Sequence, residues 1–133
     1  MFASVTSGVA RADYTPRQLN CIRLAYVYSD YAGLRTDDRD TMIRMLFRES
    51  GCGLNVYGDW NGRIYLSQGV AQFHQGGVWA STSCARLGLA ARLDDETSIR
   101  CMAEAINNGM INHWYPWLRP PSRWLITVPS DPR

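Results

Sequence analysis

Glu49 is the residue whose setting carries the most chemistry. It lies seven, four and three positions after Met42, Met45 and Leu46, so helical spacing puts a carboxylate on the apolar stripe of its segment. It also falls in the last turn before Gly51, where the negative end of the helix dipole disfavours a second negative charge. Desolvation and dipole act in the same direction. Both favour the protonated form and predict a raised pKa, the state a general acid needs near neutral pH. The competing reading is a frayed helix-end residue that reaches solvent or pairs with Arg44 or Arg48. His74 and His113 have no acidic partner at a telling spacing and read as structural. Asp94, Asp95 and Glu96 read as a capped, dipole-complementing helix start.

Composition narrows the alternatives. The chain has 133 residues and a formal charge of +2, and all 14 basic residues are arginine. Without lysine there is no Schiff-base, phosphate-loop or lysine general-base chemistry, so acid–base work falls to carboxylates, histidines, tyrosines or cysteines. The arginines alternate with aspartates and form no basic stripe, which argues against a nucleic-acid partner. No apolar run approaches the roughly 20 residues of a membrane span, and the first residues lack the pattern of an ordinary secretion signal, so no membrane anchor is expected. Cys21, Cys52, Cys84 and Cys101 show no CxxC or Cys/His ligand spacing, so neither metal nor cofactor is implied. Three disulfide pairings are open to them, as are buried free thiols.

The elements that must position Glu49 follow from caps and periodicity. Thr15-Pro16 starts a helix in which Leu19, Ile22, Tyr26 and Val27 recur until Gly33. Thr36, followed by Asp37, Asp38 and Asp40, starts a second that ends in Arg48-Glu49-Ser50-Gly51. Residues 56–60 and 63–66 flank Asn61-Gly62, which predicts a two-residue hairpin turn. Residues 68–74 read as a short helix and residues 78–89 as a weakly patterned one. Asp94 caps a late helix with Ile99, Met102, Ala103 and Ile106 on one side and Gly109 near its end. Residues 119–133 hold four prolines and read as an extended tail. The expected fold class is α+β, mainly α, with a small hairpin directly after the helix that carries Glu49.

Glu49-Ser50-Gly51, a hairpin, and then Ser67-Gln68-Gly69-Val70-Ala71-Gln72-Phe73 together resemble the lysozyme-like superfamily, goose-type lysozymes and soluble lytic transglycosylase domains in particular. Members end a helix in Glu-Ser, follow it with a short β-region, and then place a Gly-Leu-Met-Gln-Ile-type segment. Ala105-Ile106-Asn107-Asn108-Gly109 is similar to the family's Ala-Tyr-Asn-x-Gly element. Trp114-Tyr115-Pro116-Trp117 looks like the aromatic ending of some phage members. The resemblance spans residues 39–117.

That resemblance implies a lysozyme-like catalytic domain over residues 15–118, preceded by a leader over 1–14 and followed by the tail. It implies that Glu49 is the acid that cleaves the β-1,4 bond between N-acetylmuramic acid and N-acetylglucosamine in peptidoglycan. Ser67 and Gln72 would line the central subsites, and Asn107 would contact substrate or hold the hairpin. Ile106 replaces the family's tyrosine, for which Tyr115 is a substitute. Ser67 stands where animal-type lysozymes place their second carboxylate. Asp59 is then the candidate base, with a turn-stabilising role as its structural reading. Without a second carboxylate in reach, the transglycosylase route remains: one glutamate protonates the leaving oxygen, then deprotonates the muramyl 6-hydroxyl to give a 1,6-anhydro product. The resemblance favours this route. Tyr57, Trp60, Tyr65, Trp79, Trp114 and Trp117 are candidates to stack on sugar faces, or else core residues.

Size, the aromatic ending and the absent signal point to a bacteriophage protein, virion-associated and acting at the bacterial cell wall. Its partners would be peptidoglycan glycan strands and, through the leader and tail, other virion subunits. The alternative is a lysozyme-like structural or wall-binding virion protein without catalysis.

Overall fold

The computed structural model describes residues 13–114 and 126–133. Over these residues the fold is α+β and mainly α. Helices α1 (Pro16–Ala32), α2 (Thr36–Ser50) and α3 (Asp95–Asn107) accompany a three-stranded antiparallel sheet of β1 (Tyr57–Trp60), β2 (Tyr65–Gln68) and β3 (Phe73–His74), in that spatial order. Three short 3-10 turns, Val78–Ser81, Ser83–Leu87 and Leu89–Leu93, lead from the sheet to α3, and a fourth, Ile111–His113, follows it.

The helix starts obey the capping signals. Thr15 Oγ1 accepts from the Gln18 amide at 3.0 Å and Gln18 Oε1 accepts from the Thr15 amide at 2.9 Å, a reciprocal box with Pro16 in the first helical position. Asp94 accepts from the Thr97 amide at 2.9 Å to open α3. At α2 the expectation needs one correction: Thr36 is the first helical residue, and the cap position belongs to Arg35, which lends no side chain. Asp37 and Asp38 in the first turn supply the favourable charge instead.

The predicted stripes of α2 and α3 are the core, whereas of the α1 stripe Ile22 and Tyr26 are buried and Leu19 and Val27 are only half-buried. Met42, Met45 and Leu46 of α2 and Ile99, Met102, Ala103 and Ile106 of α3 are buried, as are Ile22, Leu24 and Ala25 of α1. Each large aliphatic side chain among them contributes about 1.5–3 kcal/mol by leaving water. Phe73 of β3 packs edge-on against Trp79 at 5.1 Å and Trp114 at 5.5 Å. Trp79 is therefore a core residue and not a sugar-stacking one. Both pairs of cysteines are bridged, Cys21 to Cys52 and Cys84 to Cys101. The first bridge ties α1 to the residue just past Gly51, and the second ties a 3-10 turn to α3.

Three further expectations change. Residues 68–74 are not helical: Gly69 and Gln72 have φ of 88° and 52°, outside the right-handed helical region, and they form the turn from β2 into β3. Residues 78–89 break into 3-10 turns, with Gly88 between two of them at a φ of 87°. In the hairpin the Asn61 amide donates to the Ile64 carbonyl at 3.1 Å, so the central pair is Gly62-Arg63, one residue later than predicted. Asn61 caps that turn through its side chain, accepting from the Arg63 and Ile64 amides.

Residues 126–133 carry no regular secondary structure and lie along the first two helices. Tyr26 Oη donates to the Pro129 carbonyl at 2.6 Å, Arg44 Nε to the Ile126 carbonyl at 3.3 Å, and Arg133 pairs with Asp30 at 2.7 Å. Residues 1–12 and 115–125, which hold most of the leader and part of the tail, lie outside the described residues. No described helix is long and apolar enough to cross a membrane.

Candidate active site

The last turn of α2 delivers Glu49 to a cavity of about 260 Å³ whose other walls are Asp59, Ser67, Gln72, His74, Gly77, His113 and Trp114. Its position follows from the apolar stripe. Met42, Met45 and Leu46 anchor one face of α2 in the core, and Glu49 continues that face where the helix ends. Gly51 takes up a φ of 61° to stop the helix, its amide donating to the Phe47 carbonyl at 2.8 Å. Gln18 Nε2 donates to the Gly51 carbonyl at 3.0 Å, so the N-terminal turn of α1 also braces the end of α2.

Ser50 joins that helix end to the sheet. Its buried hydroxyl donates to the Val70 carbonyl at 2.7 Å and accepts from the Gly53 amide at 3.2 Å. The β2–β3 turn is held at nearly every carbonyl. Trp114 Nε1 donates to Ala71 at 2.8 Å, and Gln72 Nε2 to Gly69 at 2.9 Å. Buried Arg92 donates to Leu66 and Phe73 at 2.9 and 2.8 Å. Burial lowers the pKa of that guanidinium, and carbonyl dipoles stand in for a counter-ion. Ser67, also buried, donates to Asp59 across the β1–β2 pair.

The electrostatics of Glu49 match its placement. Its pKa is raised, chiefly by burial; the Asp59 charge raises it further and Arg48 opposes both. Burial and a neighbouring like charge both favour the protonated form of a carboxyl, the direction a general acid requires. Asp59 and Gln72 both stand at positive φ, 55° and 52°. Backbone strain of this sort costs of order 1–3 kcal/mol per residue and persists where the surroundings over-determine the conformation. Here two of the strained residues flank the same cavity.

Of the residues singled out from sequence, Glu49, Asp59, Ser67 and Gln72 are brought together. Tyr57 and Trp60 are exposed on β1, on either side of Gly58 and Asp59, and with Tyr65 form an aromatic patch with ring centroids 4.8–5.4 Å apart. Asn107 is not part of the site. Ile106 spends the buried stripe of α3 on the core, and the next residue is turned to solvent, where Asn107 lines a different groove with Tyr28, Tyr31 and Arg100. Tyr115 and Trp117 lie outside the described residues.

The sequence reading missed His74 and His113 as cavity walls; Trp114, a sugar-stacking candidate, is a third wall and is itself buried against Phe73. His74 Nδ1 accepts from the Gly76 amide at 3.1 Å, which leaves Nε2 as the protonated nitrogen of the neutral ring. Burial, and then the neighbouring His74, lower the pKa of His113, so this ring is neutral at neutral pH. A Cβ on Gly77 would stand at contact distance, 3.4 Å, from the His113 ring and from the His74 Cβ, so the backbone at Gly77 passes close to both residues. Among the described residues no cluster of three or more His, Cys, Asp or Glu side chains is arranged to hold a metal ion. Compared with known proteins, the chain matches no family model, no curated protein and no solved structure.

Proposed function

We propose that the chain cleaves peptidoglycan at the β-1,4 bond between N-acetylmuramic acid and N-acetylglucosamine, with Glu49 as the general acid. The observation that carries this reading is the half-buried Glu49, its pKa raised, in one cavity with Asp59, Ser67 and Gln72. Protonated Glu49 gives its proton to the glycosidic oxygen as the bond to C1 breaks. The oxocarbenium-like centre is then closed by an oxygen nucleophile. Asp59 in the same cavity supports water as that nucleophile: the carboxylate takes one water proton while the oxygen bonds to C1, leaving a reducing end. In the transglycosylase route the ionised Glu49 takes the proton of the muramyl 6-hydroxyl instead, and the product is a 1,6-anhydro sugar. Gln72 and Ser67 border the sugar, and the Tyr57–Trp60–Tyr65 patch extends the path along the hairpin.

Two disulfides support action outside a reducing cytosol, in keeping with a virion-associated protein that meets the cell wall. The deciding experiment is clearing of purified sacculi by the wild-type protein and by Glu49→Gln. The substitution is expected to lower the rate at least about a hundredfold. Equal clearing by both would remove Glu49 as the acid. Absence of clearing by either, with binding retained, would leave the wall-binding reading, which the buried Ile106 at the family's tyrosine position also supports. Mass spectrometry of the released fragments separates a reducing end from an anhydro end and so chooses between the two routes.

A further inference from the structure

A second groove, of about 610 Å³, runs between α1 and α3 and shares no lining residue with the Glu49 cavity. Val27, Tyr28, Tyr31 and Ala32 line it from α1, and Arg100, Glu104 and Asn107 from α3. Tyr31 is 83% exposed, the highest value among the large hydrophobic side chains of the described residues. Its ring stands edge-on to that of Tyr28 at 6.2 Å, and Tyr28 is fixed in turn because its hydroxyl donates to Glu96 Oε2 at 2.8 Å. The result is an aromatic shelf open to solvent, with Tyr28 as its fixed part.

Arg100 stands beside this shelf on α3. Helical spacing gives it two default partners, Glu96 four residues before and Glu104 four residues after. Both are engaged elsewhere: Glu96 accepts from Tyr28, and Glu104 accepts from the Ser83 amide at 2.8 Å and the Ser83 hydroxyl at 2.5 Å. Among the described residues Arg100 forms no ion pair. The groove therefore offers an aromatic face, a guanidinium that no described carboxylate pairs, and the Asn107 amide, while the Glu104 carboxylate in its wall is taken up by Ser83. That combination suits a ligand with a flat, C–H-rich ring and a carboxylate close to it.

We propose that this groove is a second, non-catalytic binding site for the peptidoglycan strand, a sugar ring resting on Tyr31 and a carboxylate of the same polymer pairing with Arg100. The choice of polymer rests on the reading of the Glu49 cavity as its cleavage site. Tyr31 lies ten residues along α1 from Cys21, which is bridged to Cys52 at the cavity end of α2, a displacement of about 15 Å on a helix. A long strand held in the groove raises the local concentration of the same polymer at Glu49 without touching the chemistry.

The test uses the full chain carrying Glu49→Gln, so that sacculi survive the measurement, with and without Tyr31→Ala plus Arg100→Ala. Co-sedimentation with purified sacculi is expected to show binding roughly tenfold weaker in the groove variant, equivalent to about 1.4 kcal/mol, and the difference should shrink as salt is raised. Tyr31→Trp should keep the binding of the unaltered groove. In proteins with Glu49 intact, the groove variant should cleave a short soluble glycan at the wild-type rate and sacculi more slowly. Identical binding curves, or no binding by the Glu49→Gln chain at all, would overturn the proposal. If the wild-type protein cleaves nothing while sacculus binding still depends on Tyr31 and Arg100, the cleavage reading fails and the groove stands.

Discussion

The Glu49 cavity and the α1–α3 groove are walled in different ways. The cavity is assembled from five separate stretches of chain: the end of α2, the β1–β2 pair, the β2–β3 turn, the Gly77 segment and the turn after α3. Its polar walls are fastened from behind by buried Ser50 and Arg92 and from the side by Trp114, itself a wall, and two of its residues sit in strained backbone. The groove is made by the outer faces of two helices, and its fixed points are surface hydrogen bonds to Glu96 and Glu104. A site that must shift a carboxyl's proton affinity has to exclude water and hold its groups at set distances, and only cross-chain packing does both. A surface that only retains a polymer needs neither.

That contrast can be broken experimentally, most forcefully at the disulfide. Replacing Cys21 and Cys52 by serine is expected to cost about 4 kcal/mol in denaturant unfolding, because the bridge closes a loop of 31 residues. The same change should depress cleavage beyond its effect on folded fraction, since it frees the end of α2. Ser50→Ala comes next. It strands the Val70 carbonyl, while the Gly53 amide keeps its bond to the Ser50 backbone carbonyl; the loss is about 1–3 kcal/mol, and the clearing rate should fall while Tyr31-dependent binding to sacculi stays as it was. If both functions fell together, the two regions would not be independent.

A smaller effect has a definite sign. Folding raises the Glu49 pKa, so the native state holds its proton more tightly than the unfolded state, and stability falls as pH rises from the ordinary carboxyl range through the raised value. Glu49→Gln abolishes that fall. The variant should therefore melt at a higher temperature than wild type at neutral pH, with the difference vanishing at acidic pH. A wild-type melting temperature insensitive to this substitution at every pH would mean that burial does not act on the carboxyl. Smallest of all, Tyr31→Ala at an exposed position should change stability by no more than about 0.5 kcal/mol in thermal or chemical unfolding.

The parts of the fold legible in the sequence were those written in local signals. The Thr15 box, the Asp94 cap and the stripes ending in Glu49 and Ile106 each depend on residues within two turns of one another, and each is found where spacing puts it. β3 was hidden because nothing near it specifies a strand. Phe73 pairs with Gln68 across a left-handed turn and is held by Arg92, 19 residues away. The histidines were hidden for the same reason, since only the closed fold sets His113 beside His74. Asn107 shows the opposite error. A motif match suggested a contact that the buried stripe of α3 forbids.

Gly58 carries a consequence of its own. A Cβ at this position would overlap Gln72 Oε1, and because Gly58 is held in its pairing with Ser67 the flexible Gln72 amide is the group that must move. One methyl group there would work as a plug, swinging the Gln72 amide out of the cavity while the hairpin stays paired. The bore of the cavity is thus set by a hydrogen atom on a residue that has no side chain.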